Sequence, residues 1–188
     1  MNRKQLIIIG GSAGSLEVII DVVGQLQSSD HPPIILVLHR RNNADSILED
    51  LLTQKTHLTV KEAEEKEYLK PNTIYTAPAD YHVLFEQDGS ISLDYSEKVN
   101  FSRPSIDVAF HSASEIYRDQ LVGILLSGAN ADGAEGLRFV KQEGGSTIAQ
   151  HPATASVPFM PESAITMGVV DRILTPDEIA AYINSLQF

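Results

Sequence analysis

Six short apolar runs recur along the chain, at residues 6–9, 34–38, 58–60, 121–126, 146–149 and 169–170, each closed by a glycine or a polar residue. They are too short for helices and too continuously apolar for strands with one wet face, so they read as parallel strands buried on both faces. Longer stretches separate them, with apolar residues three and four apart. One stripe is Leu16, Ile19, Ile20, Val23 and Leu26; another, after Pro104, is Ile106, Ala109, Phe110, Ala113, Ile116 and Tyr117, with Pro104 or a nearby Ser supplying the start. Each makes one apolar face of a helix. Strands alternating with helices predict an α/β fold: a doubly wound, mainly parallel sheet with helices on both faces. At 188 residues the chain fits a single domain spanning 1–188.

Two local signals refine that expectation. Thr175, Pro176 and Glu178 make a capping box with Pro in the first turn, ahead of Ile179, Tyr182, Ile183 and Leu186, so the last helix starts here and closes the sheet. Residues 73–95, TIYTAPADYHVLFEQDGSISLDY, alternate with period two around Asp88-Gly89. That pattern predicts an antiparallel β-hairpin in the middle of the chain. The acidic run at 62–67 before it reads as a solvated turn or helix face.

Charge and composition exclude several functions. Fourteen Lys and Arg against 25 Asp and Glu give a net charge of −11, which argues against a phosphate-backbone partner, so no nucleic acid is expected. Without cysteine there is no disulfide framework, Cys-based zinc site or thiol nucleophile. The apolar run after MNRKQ is too short for a signal sequence, and no run approaches a membrane span. A cytoplasmic protein with no cofactor, no metal and no membrane insertion is the expectation.

The chemistry begins at Gly10-Gly11-Ser12-Ala13-Gly14, which joins an apolar strand to a helix and fits the G-x-S-x-G pattern of a nucleophile turn. Small neighbours let the backbone bend sharply and hold the Ser12 hydroxyl clear of the sheet. Two other readings compete: Ser12 as a helix cap, or the turn as a phosphate cradle, which the missing G-x-G-x-x-G series and P-loop Lys disfavour. Open parallel sheets bind ligands beyond the carboxyl ends of their strands. Of the six histidines only His39 and His151 directly follow strands, and either could serve as general base. The run 121–126 leads into another small-residue loop, where Asp132 could orient an imidazole, although Asp132 with Glu135 also reads as a capping box. Three segments thus deliver a Ser, a His and an Asp to one edge, the set that activates a serine by proton transfer to a held imidazole.

The segments IIIGGSAGSLEVI, LVLHRR, YTAPADYHV, RPSIDVAFHSA, VGILLSGANADGAEGL and TIAQHPATASVPFMPESAITMGVVD resemble the catalytic domain of CheB-type protein-glutamate methylesterases, nearly end to end. Carried over position by position, the resemblance implies Ser12 as nucleophile, His39 rather than His151 as base, and Asp132 as orienting carboxylate. It implies hydrolysis of glutamate γ-methyl esters on the cytoplasmic helices of chemoreceptors, or of another methylated signalling protein, with glutamine deamidation as a companion activity. Backbone N–H groups around Gly11, Ala13, Ala129 and Asn130 would then hold the oxyanion and line the pocket.

The chain departs from that family in places. Ala13 stands where Thr is usual after the nucleophile, Ala129 where Met is usual, and Arg40 where Met is common. Arg40 and Arg41 put positive charge beside the expected site; they read as solvated surface arginines, with steering of an acidic receptor helix as the functional alternative. The chain starts with Met1 at the catalytic strand, whereas full-length members carry a phosphorylatable receiver domain first. That start is read as a natural one, with regulation by other means or by a separate regulator in trans. A binding module that kept the fold but lost activity, and a nucleotide-binding α/β domain, are the competing readings.

Overall fold

The computed structural model describes residues 5–27, 31–39 and 47–186. Seven strands make the main sheet: β1 (Leu6–Gly11), β2 (Ile34–Leu38), β3 (Thr59–Glu62), β4 (Thr73–Thr76), β7 (Leu121–Leu125), β8 (Ser146–Gln150) and β9 (Arg172–Leu174). Their order is β3-β4-β2-β1-β7-β8-β9, and every pairing is parallel. A separate antiparallel pair, β5 (His82–Phe85) and β6 (Ile91–Asp94), forms the hairpin.

Successive side chains on a strand point to opposite faces, and both faces are covered. Leu6 and Ile8 of β1, with Ile35 and Val37 of β2, join a core that includes α3 (Ile106–Tyr117), α4 (Ala134–Gln142), α5 (Phe159–Thr166) and the hairpin. Ile7 and Ile9, with Ile34, Leu36 and Leu38, join the opposite core with α1 (Ser15–Gly24), α2 (Ile47–Thr53) and α6 (Pro176–Ser185). Each fully buried Ile or Leu contributes about 1.5–3 kcal/mol, so the two cores together fix the layer order expected of a doubly wound fold.

The expected elements are present, with three corrections. Residues 73–95 do not form one hairpin: Thr73–Thr76 is a central strand, parallel to both β3 and β2, and only β5 and β6 pair antiparallel, around the left-handed Gly89. Period two describes any strand, and the alternation carries no information on the partner. The last strand is Arg172–Leu174 rather than 169–170, because Val169 is buried in the preceding connection, where its carbonyl accepts from Thr147 Oγ1 at 2.7 Å. In α1 the buried face is Val18, Ile19, Val22 and Val23, while Leu16 is 43% exposed. Helix α3 is buried along Ile106, Ala109, Phe110, Ala113 and Tyr117, with Ser105 as its cap, and the Thr175–Glu178 capping box of α6 is formed. In the acidic run, Lys61 pairs with Glu64 and Glu67.

From β1 the chain steps to β2 on one side and later returns to β7 on the other. Loops leaving β1 and β7 therefore part in opposite directions, opening a crevice at their carboxyl ends.

Candidate active site

Sheet register delivers the first two groups. Gly11 of β1 is opposite Leu38 of β2, so Ser12 and His39 leave neighbouring strands at the same level, and the His39 N–H donates to the Gly11 carbonyl at 3.2 Å. On the other side the Ser12 N–H donates to Ser127 O at 2.9 Å, tying the turn after β1 to the loop after β7.

The turn itself is built for exposure. The Ser12 carbonyl accepts from the Ser15 N–H at 3.0 Å and from Ser15 Oγ at 2.7 Å, and Gly14 takes a left-handed φ of 76°. A Cβ on Gly14 would lie 2.7 Å from Ser156 Cβ and 2.9 Å from Ser127 Oγ, so glycine is needed there both sterically and conformationally. The Ser12 side chain does not cap α1, whose cap position is Gly14. Among the described residues Ser12 Oγ has no hydrogen-bond partner, and neither have the backbone N–H groups of Ala13, Ala129 and Asn130. Gly11 lies buried within β1.

Asp132 has the opposite surroundings. Its side chain is 0% exposed, and Oδ2 lies 2.6 Å from Nε2 of His39, whose side chain is 11% exposed. Oδ2 also accepts from the Ile106 N–H at 2.7 Å. Oδ1 accepts from Ser105 Oγ and the Asp107 N–H, both at 3.0 Å, and from Asn100 Nδ2 at 3.2 Å. Burial alone would push this carboxyl up; the bonds from His39, from the α3 N–H groups and from Asn100 outweigh it and hold it below the ordinary carboxylate range. An ionised Asp132 keeps the proton on His39 Nε2 and leaves Nδ1 as the basic atom.

The pairing is reciprocal. Asp107 donates its N–H to Asp132, and its own Oδ1 accepts from the N–H groups of Gly133 at 2.9 Å and Gly136 at 2.6 Å. Asn100 Nδ2 bridges the two carboxylates, 2.7 Å from Asp107 Oδ2. Burial, opposed by the Gly136 and Gly133 N–H groups and reinforced by the charge of Asp132, pushes Asp107 up to about 6. The capping-box reading of Asp132 and Glu135 is not what forms, since Gly133 occupies the cap of α4 and Glu135 pairs with Arg138.

His151 is not brought into this set: its ring is exposed and its Nδ1 accepts from the Ala153 N–H at 3.2 Å, capping the short turn 152–154. Arg40 and Arg41 lie outside the described residues. Sequence reasoning missed Asn100, Asp107, Ser127 and Gln150. Ser127 Oγ donates to Ala13 O at 2.7 Å, and its N–H donates to Gln150 Oε1 at 2.9 Å, so these two carry the turn from below. Ser105 was legible as a helix start, but its second bond, to Asp132, was not. Among the described residues no group of three or more His, Asp or Glu side chains could hold a metal ion, and no helix is long and apolar enough to cross a membrane.

Comparison with known proteins gives this geometry a family. The CheB methylesterase family model matches residues 7–183. A relative in Leptospira interrogans is 43% identical over 176 residues, covering 94% of this chain and 91% of its own length. A protein-glutamate methylesterase/protein-glutamine glutaminase of Carboxydothermus hydrogenoformans is 37% identical over 184 residues. This chain spans 54% of that protein, and 44% of a relative of the same name in Maricaulis maris, so it matches about half the length of those two. The crystal structure of the Thermotoga maritima CheB methylesterase catalytic domain superposes with a TM-score of 0.92 at 33% identity, covering 96% of this chain and 97% of that one. With sequence and fold matched over nearly the whole length, the chain belongs to the CheB methylesterase family.

Proposed function

We propose that this chain is a serine hydrolase that removes γ-methyl esters from glutamate side chains of chemoreceptor cytoplasmic helices, releasing methanol. The observation that carries the reading is the 2.6 Å bond between His39 and a buried, charged Asp132, set at the sheet edge where register brings His39 beside Ser12. In this reading His39 Nδ1 takes the Ser12 Oγ proton as Oγ bonds to the ester carbonyl carbon. The resulting oxyanion is held by the unoccupied N–H of Ala13 and one from Ala129 or Asn130, donors typically worth about 3–4 kcal/mol each. Collapse breaks the carbonyl–methoxy bond, and methoxide leaves as methanol with the proton from His39. Water, deprotonated by His39, then cleaves the Ser12 ester and frees the glutamate carboxylate. A glutamine amide would follow the same course with ammonia leaving, which is the deamidase activity in the relatives' names. Such receptor segments put the reaction in the cytoplasm. The oxyanion donors are backbone groups, so Ala13 and Ala129 leave them in place.

The test is methanol release from receptor cytoplasmic fragments carrying γ-methyl-glutamate, with wild type beside Ser12→Ala at equal concentration. Release that disappears in the variant is the expected outcome. No release by wild type, with Ser12 also inert to a serine-directed phosphonate, leaves a binding module on an esterase fold.

A further inference from the structure

Residues Val99 to Ser102 form a two-residue turn, closed by the Val99 N–H to Ser102 O at 3.1 Å and the Ser102 N–H to Val99 O at 3.0 Å. Both central residues are left-handed, Asn100 at φ 50° and Phe101 at φ 62°. Asn suits the first position of such a turn, and the second favours glycine. Here it holds a phenylalanine that is 98% exposed. Folding has no use for that ring: it buries nothing, and the backbone beneath it is in a region that bulky residues avoid.

The turn is held firmly, and it is held to the catalytic apparatus. Asn100 Nδ2 bonds to both Asp107 and Asp132, so the backbone carrying Phe101 is joined through Asp132 to His39. At the base of the loop, the Arg103 guanidinium binds Asp80 and the Ser96 carbonyl and lies 3.8 Å from the Tyr95 ring centre. Tyr95 packs on Tyr81, and both are exposed. The result is a ridge with exposed aromatic side chains, anchored through Asn100 to Asp107 and Asp132.

We infer that Phe101 is a specificity-determining contact for the protein substrate, packing on apolar side chains of the helix that presents the modified glutamate. The inference rests on the methylesterase reading above and names how that site chooses its substrate. A helix places residues three and four positions from the esterified glutamate on the same face, within reach of a ridge beside the site. A methyl ester is uncharged, so an apolar contact suits a segment that has lost carboxylate charge, and a chain of net charge −11 repels the unesterified product more than the ester.

The experiment compares methanol release from a methylated receptor fragment with release from N-acetyl-glutamate γ-methyl ester, a small substrate that cannot reach the ridge. Wild type, Phe101→Ala, Phe101→Gly and Phe101→Trp are assayed on both. For Ala and Gly the ratio of kcat/KM for the fragment to that for the small ester falls about tenfold, as for loss of one aromatic anchor, chiefly through KM. Phe101→Trp keeps the wild-type ratio, and Phe101→Gly melts no lower than wild type because glycine suits the turn. An unchanged ratio in Phe101→Gly, or an equal loss on both substrates, overturns the inference while leaving the methylesterase reading intact. Wild type inactive on both substrates overturns the two together.

Discussion

Asp132 and Ser12, the proposed acid and nucleophile, stand on opposite kinds of scaffold. Asp132 is wholly buried and accepts five hydrogen bonds, from His39, Asn100, Ser105, Ile106 and Asp107. Ser12 sits on a half-exposed turn whose hydroxyl is unbonded among the described residues and whose shape depends on one left-handed glycine. A buried charge left without partners costs several kcal/mol, and here five donors share that task, so no single one of them carries it. In the proposed reading a nucleophile must keep its hydroxyl and neighbouring N–H groups free for a substrate, so the Ser12 side has few bonds to lose. Single changes around Asp132 should therefore be mild unless they remove its charge, and single changes in the Ser12 turn should be severe.

Removing the charge itself should have the greatest effect. Asp132→Asn keeps the shape but only one of the two acceptor oxygens, and it loses the anion that in the proposed reading orients His39 and stabilises its protonated form. Methanol release should fall about 10³–10⁴-fold, the scale seen when a triad aspartate becomes asparagine, while the thermal transition persists. A loss under tenfold would mean that Asp132 is a structural carboxylate and that the contrast with Ser12 is misdrawn.

The fragile side is tested next, at Gly14. Gly14→Ala puts a Cβ 2.7 Å from Ser156 Cβ and imposes a left-handed alanine, costing about 1–2 kcal/mol in backbone strain alone. Displacing Ser12 by a fraction of an ångström should lower kcat about 10²-fold. On the redundant side, Ser105→Ala removes one of five donors to Asp132 and the cap of α3, so about 1 kcal/mol of stability and roughly tenfold or less in kcat are expected. Greater damage to turnover from Ser105→Ala than from Gly14→Ala would mean that the donors around Asp132 are not interchangeable.

The contrast also explains which parts were legible beforehand. Ser12, His39 and Asp132 follow strands, and strands are visible as apolar runs, so topology alone put them on one edge. Choosing His39 over His151 was beyond spacing, since both follow strands; the family resemblance implies His39, and the geometry shows a ring bonded to Asp132 against one capping a turn. Asn100, Asp107 and Gln150 were invisible because their partners are 32, 25 and 23 residues away in sequence, and such pairing leaves no local pattern. The strand at Thr73–Thr76 was detected but given the wrong partner, since period two reports a strand and says nothing of its neighbour.

The smallest effect concerns Asp107, which bonds to the loop following Asp132 yet is pushed up to about 6 by burial and by the Asp132 charge. Its folded value lies above its unfolded one, so the native state holds this proton more tightly. As pH falls from 7 through about 6 toward 4, this group makes a growing favourable contribution, because the folded form is protonated while the unfolded form is still ionised. A shift of about two units corresponds to roughly 2–3 kcal/mol at most. Asp132, held low, acts in the opposite sense and only at lower pH, where its bonds are lost on protonation. Urea unfolding of wild type and Asp107→Asn at pH 7 and pH 5 isolates the Asp107 contribution. The wild type should gain on the order of 1–2 kcal/mol relative to the variant between those two values. Equal changes in the two proteins would mean that the Asp107 carboxylate is not destabilised, and that the acid side accommodates two neighbouring charges as readily as one.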